Sequence, residues 1–332
     1  MKLQERINLL TALGEYLSPA VESWNDCVER AFRENAWFTP EFTQTAAAHT
    51  VQSMLQPEML QQFATRYGLG EENQTPRNIG MVMPGNIPFA GFHDLLCGFL
   101  CGHNVIMKLS EKATVITTHI VDFLMKQNSK SRLQTATQLK GCDAYIATGS
   151  NNTSRYFDYY FGKYPHIIRH NRTGIAILDG SETKEELEAL ADDVHLYFGR
   201  GCRNVTKLYV PKEYDFVPLL EAFSRYKYFE DHNKYKNNYD YQLSLLILNK
   251  MYYMTNGSVL LTENTGLFSP VSQVFYEYYE GSNNPALLAP GRENDLQCIV
   301  SHTHIPFGKA QFPAIDDFAD GADTMAFLTG LN

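Results

Sequence analysis

No stretch of these 332 residues approaches the roughly 20 consecutive apolar residues that span a membrane. An excess of basic charge is also missing: 28 Lys and Arg stand against 37 Asp and Glu, a formal net charge of -9. That balance argues against a nucleic-acid or membrane-surface role, while leaving room for an anionic ligand in a local basic pocket. The N-terminus, MKLQERINLLTALGEYL, is amphipathic, carries Glu5 and Glu15, and lacks the apolar core of a signal peptide. The six cysteines form no CxxC and no regular spacing, and four sit in apolar runs, so reduced thiols and a cytoplasmic location are expected. There is no Walker A sequence, no internal repeat and no low-complexity tract. Gly68-Leu-Gly70 neither follows a strand nor opens a helix, so it is not read as a dinucleotide motif. Cys97 and Cys101, with His93 and His103 nearby, lie on an apolar segment without polar support and read as core, so no metal is expected.

The chain does have the material for a substantial interior: 44% of its residues are hydrophobic and 20% charged, enough for two domains. Leu3, Ile7, Leu10, Leu13 and Leu17 recur at helical spacing, and two further helical patterns follow, one ending near residues 30–35 and one through Phe42–Tyr67. The polar, turn-rich segment 68–78 marks a boundary. Beyond it the texture alternates. Strand-like runs at 79–83, 104–109, 142–147, 166–168 and 174–178 are interleaved with helical stretches, among them an apolar one at 89–100. Alternation of this kind predicts an α/β fold with a doubly wound parallel sheet. Thr183 and Glu186 form a capping-box pattern ahead of a helix that ends in Gly199-Arg200-Gly201, directly before Cys202 and the strand 205–210. The stretch 226–241, rich in tyrosine, lysine and asparagine, has no firm reading. The division expected is a helical segment over 1–77 packed on the cofactor domain, an NAD(P)-binding domain over 78–198, a catalytic domain over 199–305 and a tail over 306–332.

Three segments, in order, resemble the aldehyde dehydrogenase superfamily. The first is MPGNIPFAGFHDLLCGFLCGHNVIMKLSEK, Met83–Lys112. The second is Ala147-Thr148-Gly149-Ser150. The third is FGRGCRNVTKLYVP, Phe198–Pro211. Within the superfamily the sequence is most similar to the acyl-CoA reductase branch that includes the fatty-acid reductase of bacterial bioluminescence (LuxC), which the context after Cys202 and the ending DGADTMAFL fit. The resemblance implies an aldehyde-dehydrogenase-like pair of domains, the first binding NADPH or NADH, with NADPH slightly favoured. It implies an acyl-CoA or other acyl thioester as substrate and makes a homo-oligomer possible, though the usual oligomerisation strand has little chain left to form it.

The chemistry supports Cys202 as nucleophile. Reducing a thioester to an aldehyde needs a group that accepts an acyl chain and later releases it, and a thiolate does both. Arg200 and Arg203 flank it and favour the ionised form. By resemblance, the Asn86 side chain and the Cys202 backbone N–H stabilise the oxyanion. By resemblance too, Lys108 contacts the adenosine ribose, or a 2′-phosphate, with Ser110 and Glu111 beside it. Glu111 suits a 2′-hydroxyl; Lys112 suits a phosphate. The backbone amides of Thr148, Gly149 and Ser150 suit a pyrophosphate.

Two departures stand out. The superfamily places its hydrolytic glutamate where this chain has Arg169-His170-Asn171-Arg172-Thr173-Gly174, and its ribose-binding glutamate where this chain has Gly266. His302 or His304 could supply a proton. The loss at Gly266 keeps a rival reading open: an acyl transferase or carrier using the same cysteine beside a degenerate cofactor site.

Overall fold

The computed structural model describes residues 1–149, 151–281 and 291–331. The chain divides into two compact units, one made of 1–171 with 313–332 and the other of 172–312.

The first unit opens with four helices: α1 (Leu3–Tyr16), α2 (Glu22–Glu34), α3 (Pro40–Met54) and α4 (Pro57–Arg66). The single helix expected over Phe42–Tyr67 is two, because Pro57 has no N–H to continue a helix and instead occupies the first turn of a new one. α1 buries Leu3, Ile7, Leu10 and Leu13 at the expected spacing, and α2 adds Trp24, Val28 and Ala31 to the same core. Then follow β1 (Asn78–Val82), α5 (Phe92–Cys101), β2 (Asn104–Lys108), α6 (Thr114–Gln127), β3 (Leu133–Thr135), β4 (Ala144–Thr148), α7 (Asn151–Phe161) and β5 (His166–Arg169). The five strands are all parallel, in the order β3-β2-β1-β4-β5. Their direction of winding reverses between β1 and β4, the arrangement of a doubly wound nucleotide-binding sheet. β3 left no signal in the sequence: it is three residues long and buries only Leu133.

The last described residues return to this unit. The helix α11 (Thr324–Thr329) packs on α5, with Met325 and Leu328 fully buried. A buried polar triad fixes it there. The Arg169 guanidinium donates to Asp94 Oδ2 at 2.5 Å and to Thr324 Oγ1 at 2.8 Å, while Thr324 Oγ1 donates to Asp94 Oδ1 at 3.2 Å. Arg169 Nε reaches the Ala319 carbonyl at 3.4 Å.

The second unit holds β6 (Thr173–Ile177), α8 (Lys184–His195), β7 (Val205–Pro211), α9 (Val217–Phe223), α10 (Asn233–Leu248), β8 (Met254–Thr255), β9 (Leu260–Glu263), β10 (Gln273–Tyr279) and β11 (Leu296–Val300). Its sheet runs β11-β6-β7-β10-β9-β8, parallel except for β8 against β9. The sequence-based cut at 198 assigns β6 and α8 to the first domain. In the structure β6 pairs with β7 and β11 instead, so both elements fall in the second unit. The tail divides as well: 306–312 stay in the second unit, and 313–332 join the first. Among the described residues no helix is long and apolar enough to cross a membrane.

Asp94→Ala leaves Arg169 charged, buried and without its carboxylate, which should destabilise the first unit by about 3–5 kcal/mol. Urea unfolding checks this, and the double change Asp94→Leu with Arg169→Met should recover much of the loss. A single substitution costing under about 1 kcal/mol would show that the pair contributes little.

Candidate active site

In the first unit, the expected nucleotide-contacting residues lie at the C-terminal edge of neighbouring strands. β1 runs out at Val82, and the Met83 N–H donates to the Lys108 carbonyl at 2.9 Å before the chain turns through Pro84-Gly85-Asn86. Gly85 lies so close to Ser110 that a Cβ added there would come within 2.4 Å of its Oγ, so the β1 and β2 loops fit together only with glycine at this position. Lys108 ends β2, opposite Val82, with its side chain exposed. Ser110 is half-buried and organises the turn that follows, its carbonyl accepting from the Ala113 N–H at 3.0 Å. Glu111 and Lys112 on that turn are exposed. The Asn35 amide donates to the Lys112 carbonyl at 3.0 Å and ties the turn to the end of α2. Thr148 ends β4 and Gly149 leads into α7. Ser150 lies outside the described residues. β2, β1 and β4 are adjacent, so Lys108, Ser110, Asn86, Thr148 and Gly149 share one edge, the one where doubly wound sheets bind dinucleotides. An exposed cation, a hydroxyl and the amino end of the 11-residue α7 form a donor set that fits a nucleotide's phosphates.

Cys202 belongs to the second unit, on the loop between α8 and β7. It is the one cysteine of the six that is not buried. Burial pushes the Cys27 thiol up to about 11 and that of Cys101 up to about 12, and it raises Cys97 and Cys142 as well. Those thiols are poor nucleophiles near neutral pH. Arg203 is buried and Arg200 half-buried, and burial lowers the Arg200 guanidinium below its ordinary range.

The loop is held in an expensive conformation. Tyr197 and Phe198 have φ of 57° and 59°, ahead of Gly199 at 69°. Left-handed backbone costs a residue with a side chain about 1–2 kcal/mol. Two features fix it. The first is Asn204, fully buried. Its amide donates to the carbonyls of Asp193, Val194 and Leu196 at 3.0, 3.2 and 2.9 Å, and its Oδ1 accepts from the Gly201 N–H at 2.7 Å. One side chain thus satisfies the end of α8 and the residue before Cys202. The second is an aromatic floor. The Phe198 ring lies 4.5 Å from Phe229, 4.4 Å from His232 and 5.9 Å from Tyr235. Tyr226 stacks on His195 at 4.8 Å and donates to Asp192 at 2.7 Å. This accounts for the unassigned stretch 226–241: a short 3-10 turn and the start of α10 support the loop. Neither Asn204 nor this floor was picked out as functional, and the only available signal was the density of rings.

His302 is remote from the thiol. Its ring nitrogens lie 2.9 Å from Asp179 and 3.2 Å from Glu186, at the amino end of α8, whereas Cys202 follows the other end of that 12-residue helix, about 18 Å along its axis. It is therefore not a proton source for Cys202. His304 is engaged by Ser301 and Thr303. Arg169, in the segment lacking a carboxylate, belongs to the triad with Asp94, and the His170 ring meets Ser154 at 3.2 Å. Gly266, on the loop after β9, donates its N–H to Asn264 Oδ1 at 2.7 Å.

Comparison with known proteins bears on the family and the fold. The family model for acyl-CoA reductase (LuxC) matches residues 34–219. No curated protein sequence matches the chain. Among solved structures, the chain is similar to a variant of betaine aldehyde dehydrogenase from Staphylococcus aureus solved with NAD+, at TM-score 0.67 and 12% identity over 94% of this chain and 74% of that one. It is similar to NADP-dependent glyceraldehyde-3-phosphate dehydrogenase from Bacillus halodurans solved with NADP, at TM-score 0.65 and 12% identity over 90% and 74%. Aldehyde dehydrogenase 21 from Physcomitrella patens gives TM-score 0.66 at 12% identity over 91% and 74%. At such identities the likeness concerns the fold, the expected aldehyde-dehydrogenase-like one.

The exposure pattern makes one forecast. Brief treatment of the native protein with iodoacetamide should place carbamidomethyl on Cys202 alone, read by peptide mass spectrometry. Comparable labelling of Cys27, Cys97, Cys101, Cys142 or Cys298 would contradict the burial described.

Proposed function

The chain belongs to the acyl-CoA reductase (LuxC) family and is an oxidoreductase, and from that premise we propose that it reduces an acyl-CoA to the aldehyde through a thioester on Cys202. The observation that carries the proposal is the placement of its one unburied thiol on a loop that Asn204 and the aromatic floor hold rigid. The Cys202 thiolate attacks the acyl carbonyl, and CoA leaves as its thiolate. Exchange of one thioester for another is nearly balanced in energy, so the acyl group is held without being trapped. The Cys202 N–H would receive the developing oxyanion, a role that the family resemblance also gives to the Asn86 side-chain amide. NADPH or NADH, when bound, would supply the hydride that reduces the acyl group held on Cys202. Release of the aldehyde then regenerates the Cys202 thiolate. Lys108, with Ser110 and Glu111 on the adjoining turn, would hold the adenosine ribose or its 2′-phosphate, and Thr148, Gly149 and Ser150 the pyrophosphate. On this reading the first unit serves the cofactor and the second the acyl group. The family resemblance favours NADPH.

Aldehyde release from acyl-CoA with each cofactor tests the proposal. Cys202→Ala should abolish both acyl transfer to the protein and aldehyde formation, and acyl label mapping to another cysteine would overturn the assignment. Label on Cys202 with no aldehyde from either cofactor would move the protein to the acyl transferases, the reading that Gly266 in place of the ribose-binding glutamate favours.

Lys108→Ala should raise KM for the cofactor more than KM for acyl-CoA, and more for NADPH than for NADH if a 2′-phosphate is bound. Equal, small changes would make Lys108 a solvated charge.

The segment 169–174 offers no carboxylate to activate water. Run in reverse with an aliphatic aldehyde and oxidised cofactor, the enzyme should therefore turn over steadily only when CoA is present. Sustained production of free acid without CoA would show a working hydrolytic base.

A further inference from the structure

Arg6 has no role in the reading above, and its surroundings are unusual for an arginine. It is 2% exposed, in the first turns of α1, the helix end least favourable to a cation. Among the described residues the guanidinium makes one hydrogen bond, from Nη1 to the Met1 carbonyl at 3.2 Å; Nε is buried without a partner, and no carboxylate pairs with the guanidinium. Burial lowers its pKa, opposed by the weaker attraction of Cys101, Glu72 and Glu5; both glutamates are exposed and neither forms an ion pair with it among the described residues. A buried charge without a counter-ion is destabilising unless something compensates it.

What adjoins Arg6 is open space. It lines a cleft of about 340 Å³ and a second cavity of about 90 Å³, both of which also touch Glu72 and Asn73. The larger is bounded by the turn Gly68-Leu69-Gly70, the glycine pair that the sequence showed to be no nucleotide motif. The smaller is bounded by Lys130 and Arg132, two exposed cations. The guanidinium lies against Gly102: a Cβ there would fall 2.0 Å from Nη1, and the backbone has a φ of +76°, so the position accommodates glycine alone. These walls come from the segments that precede β1, β2 and β3, at the N-terminal edge of the sheet. Lys108, Gly85 and Gly149 occupy its C-terminal edge, a strand length of about 17 Å away.

We propose that the Arg6 cleft is a second ligand site, which binds a small molecule through its phosphate or carboxylate group. Guanidinium is the side chain best matched to such planar or tetrahedral oxyanions, and the larger cleft lies within the ~300–1,000 Å³ of small-molecule pockets. Lys130 and Arg132 add attraction. The site is independent of the acyl-CoA reductase reading, since it shares no residue with it.

Thermal melting in potassium phosphate and in potassium acetate, each against potassium chloride at equal ionic strength, tests the proposal with inorganic phosphate and acetate as probes. The expected result is a concentration-dependent rise in Tm with at least one probe; the probe giving the larger rise names the ligand class. Arg6→Met should lose the rise while melting no lower than wild type in chloride, because it replaces an uncompensated charge with a packed apolar chain. Lys130→Gln, at an exposed position, should raise the half-saturating anion concentration about two- to fivefold. Lys108→Ala should keep the rise. No rise with either probe overturns the proposal, as does a rise that Arg6→Met leaves undiminished or Lys108→Ala abolishes. An Arg6→Met protein that melts below wild type in chloride would overturn it too, by showing that the guanidinium stabilises the fold unaided.

Discussion

The geometry of the second unit depends on the side chain of Asn204. A helix ends with carbonyls that have no partner in the helix itself, and α8 ends in the interior, where water cannot supply one. Asn204 gives three of those carbonyls a single donor group and, through its oxygen, takes the N–H of Gly201. Remove it and four buried backbone groups lose a partner together, each at a cost of about 1–3 kcal/mol if unreplaced. The same carboxamide therefore satisfies the helix end and sets the path of the chain into Cys202.

Rigidity at this loop matters because its backbone is unfavourable locally. Tyr197 and Phe198 in left-handed conformation persist only where surrounding contacts outweigh the strain. The Phe198 ring, packed among Phe229, His232 and Tyr235, supplies such contacts, and β6 adds to them from below: the Gly174 N–H donates to the Asn204 carbonyl at 2.9 Å, and Cys298 on β11 reaches the Arg203 carbonyl at 3.5 Å. Cys298, a small apolar residue in the core, thus supports the loop of the reactive thiol without sharing its exposure.

Much of this was legible in the sequence, and the exceptions follow a pattern. Strands β1, β2, β4, β5, β6 and β7 match apolar runs closed by turn residues, because all but the edge strand β5 bury at least two of their side chains in a parallel sheet. Lys108, Asn86, Thr148 and Gly149 stand out in the sequence through the family resemblance of their segments, and Lys108 and Thr148 also stand where an apolar run turns polar. β3 escaped notice since three residues cannot show a period. The boundary at 171 escaped notice because β6 looks locally like one more strand of the alternating series; only its pairing with β7 and β11 assigns it. Asn204 escaped notice because its partners lie up to 11 residues away and are backbone carbonyls, which leave no trace in residue types. In the sequence Arg169 belongs only to the segment that lacks the superfamily's hydrolytic glutamate, whereas its surroundings are set by Asp94 and Thr324, 75 and 155 residues distant.

That distance has a consequence for how the chain comes into being. A ribosome delivers residues in order, so Asp94 and Arg169 emerge long before Thr324. Until α11 arrives, the face of α5 that Met325 and Leu328 will cover lacks them, and the Cys101 thiol and His103 Nε2, which meet Met325 and the Leu328 carbonyl in the finished fold, lack those partners. The whole of the second unit, residues 172–312, is synthesised in that interval. The nascent first unit thus carries an uncovered apolar surface through nearly half of translation, the kind of surface that recruits chaperones or invites association with a neighbouring chain.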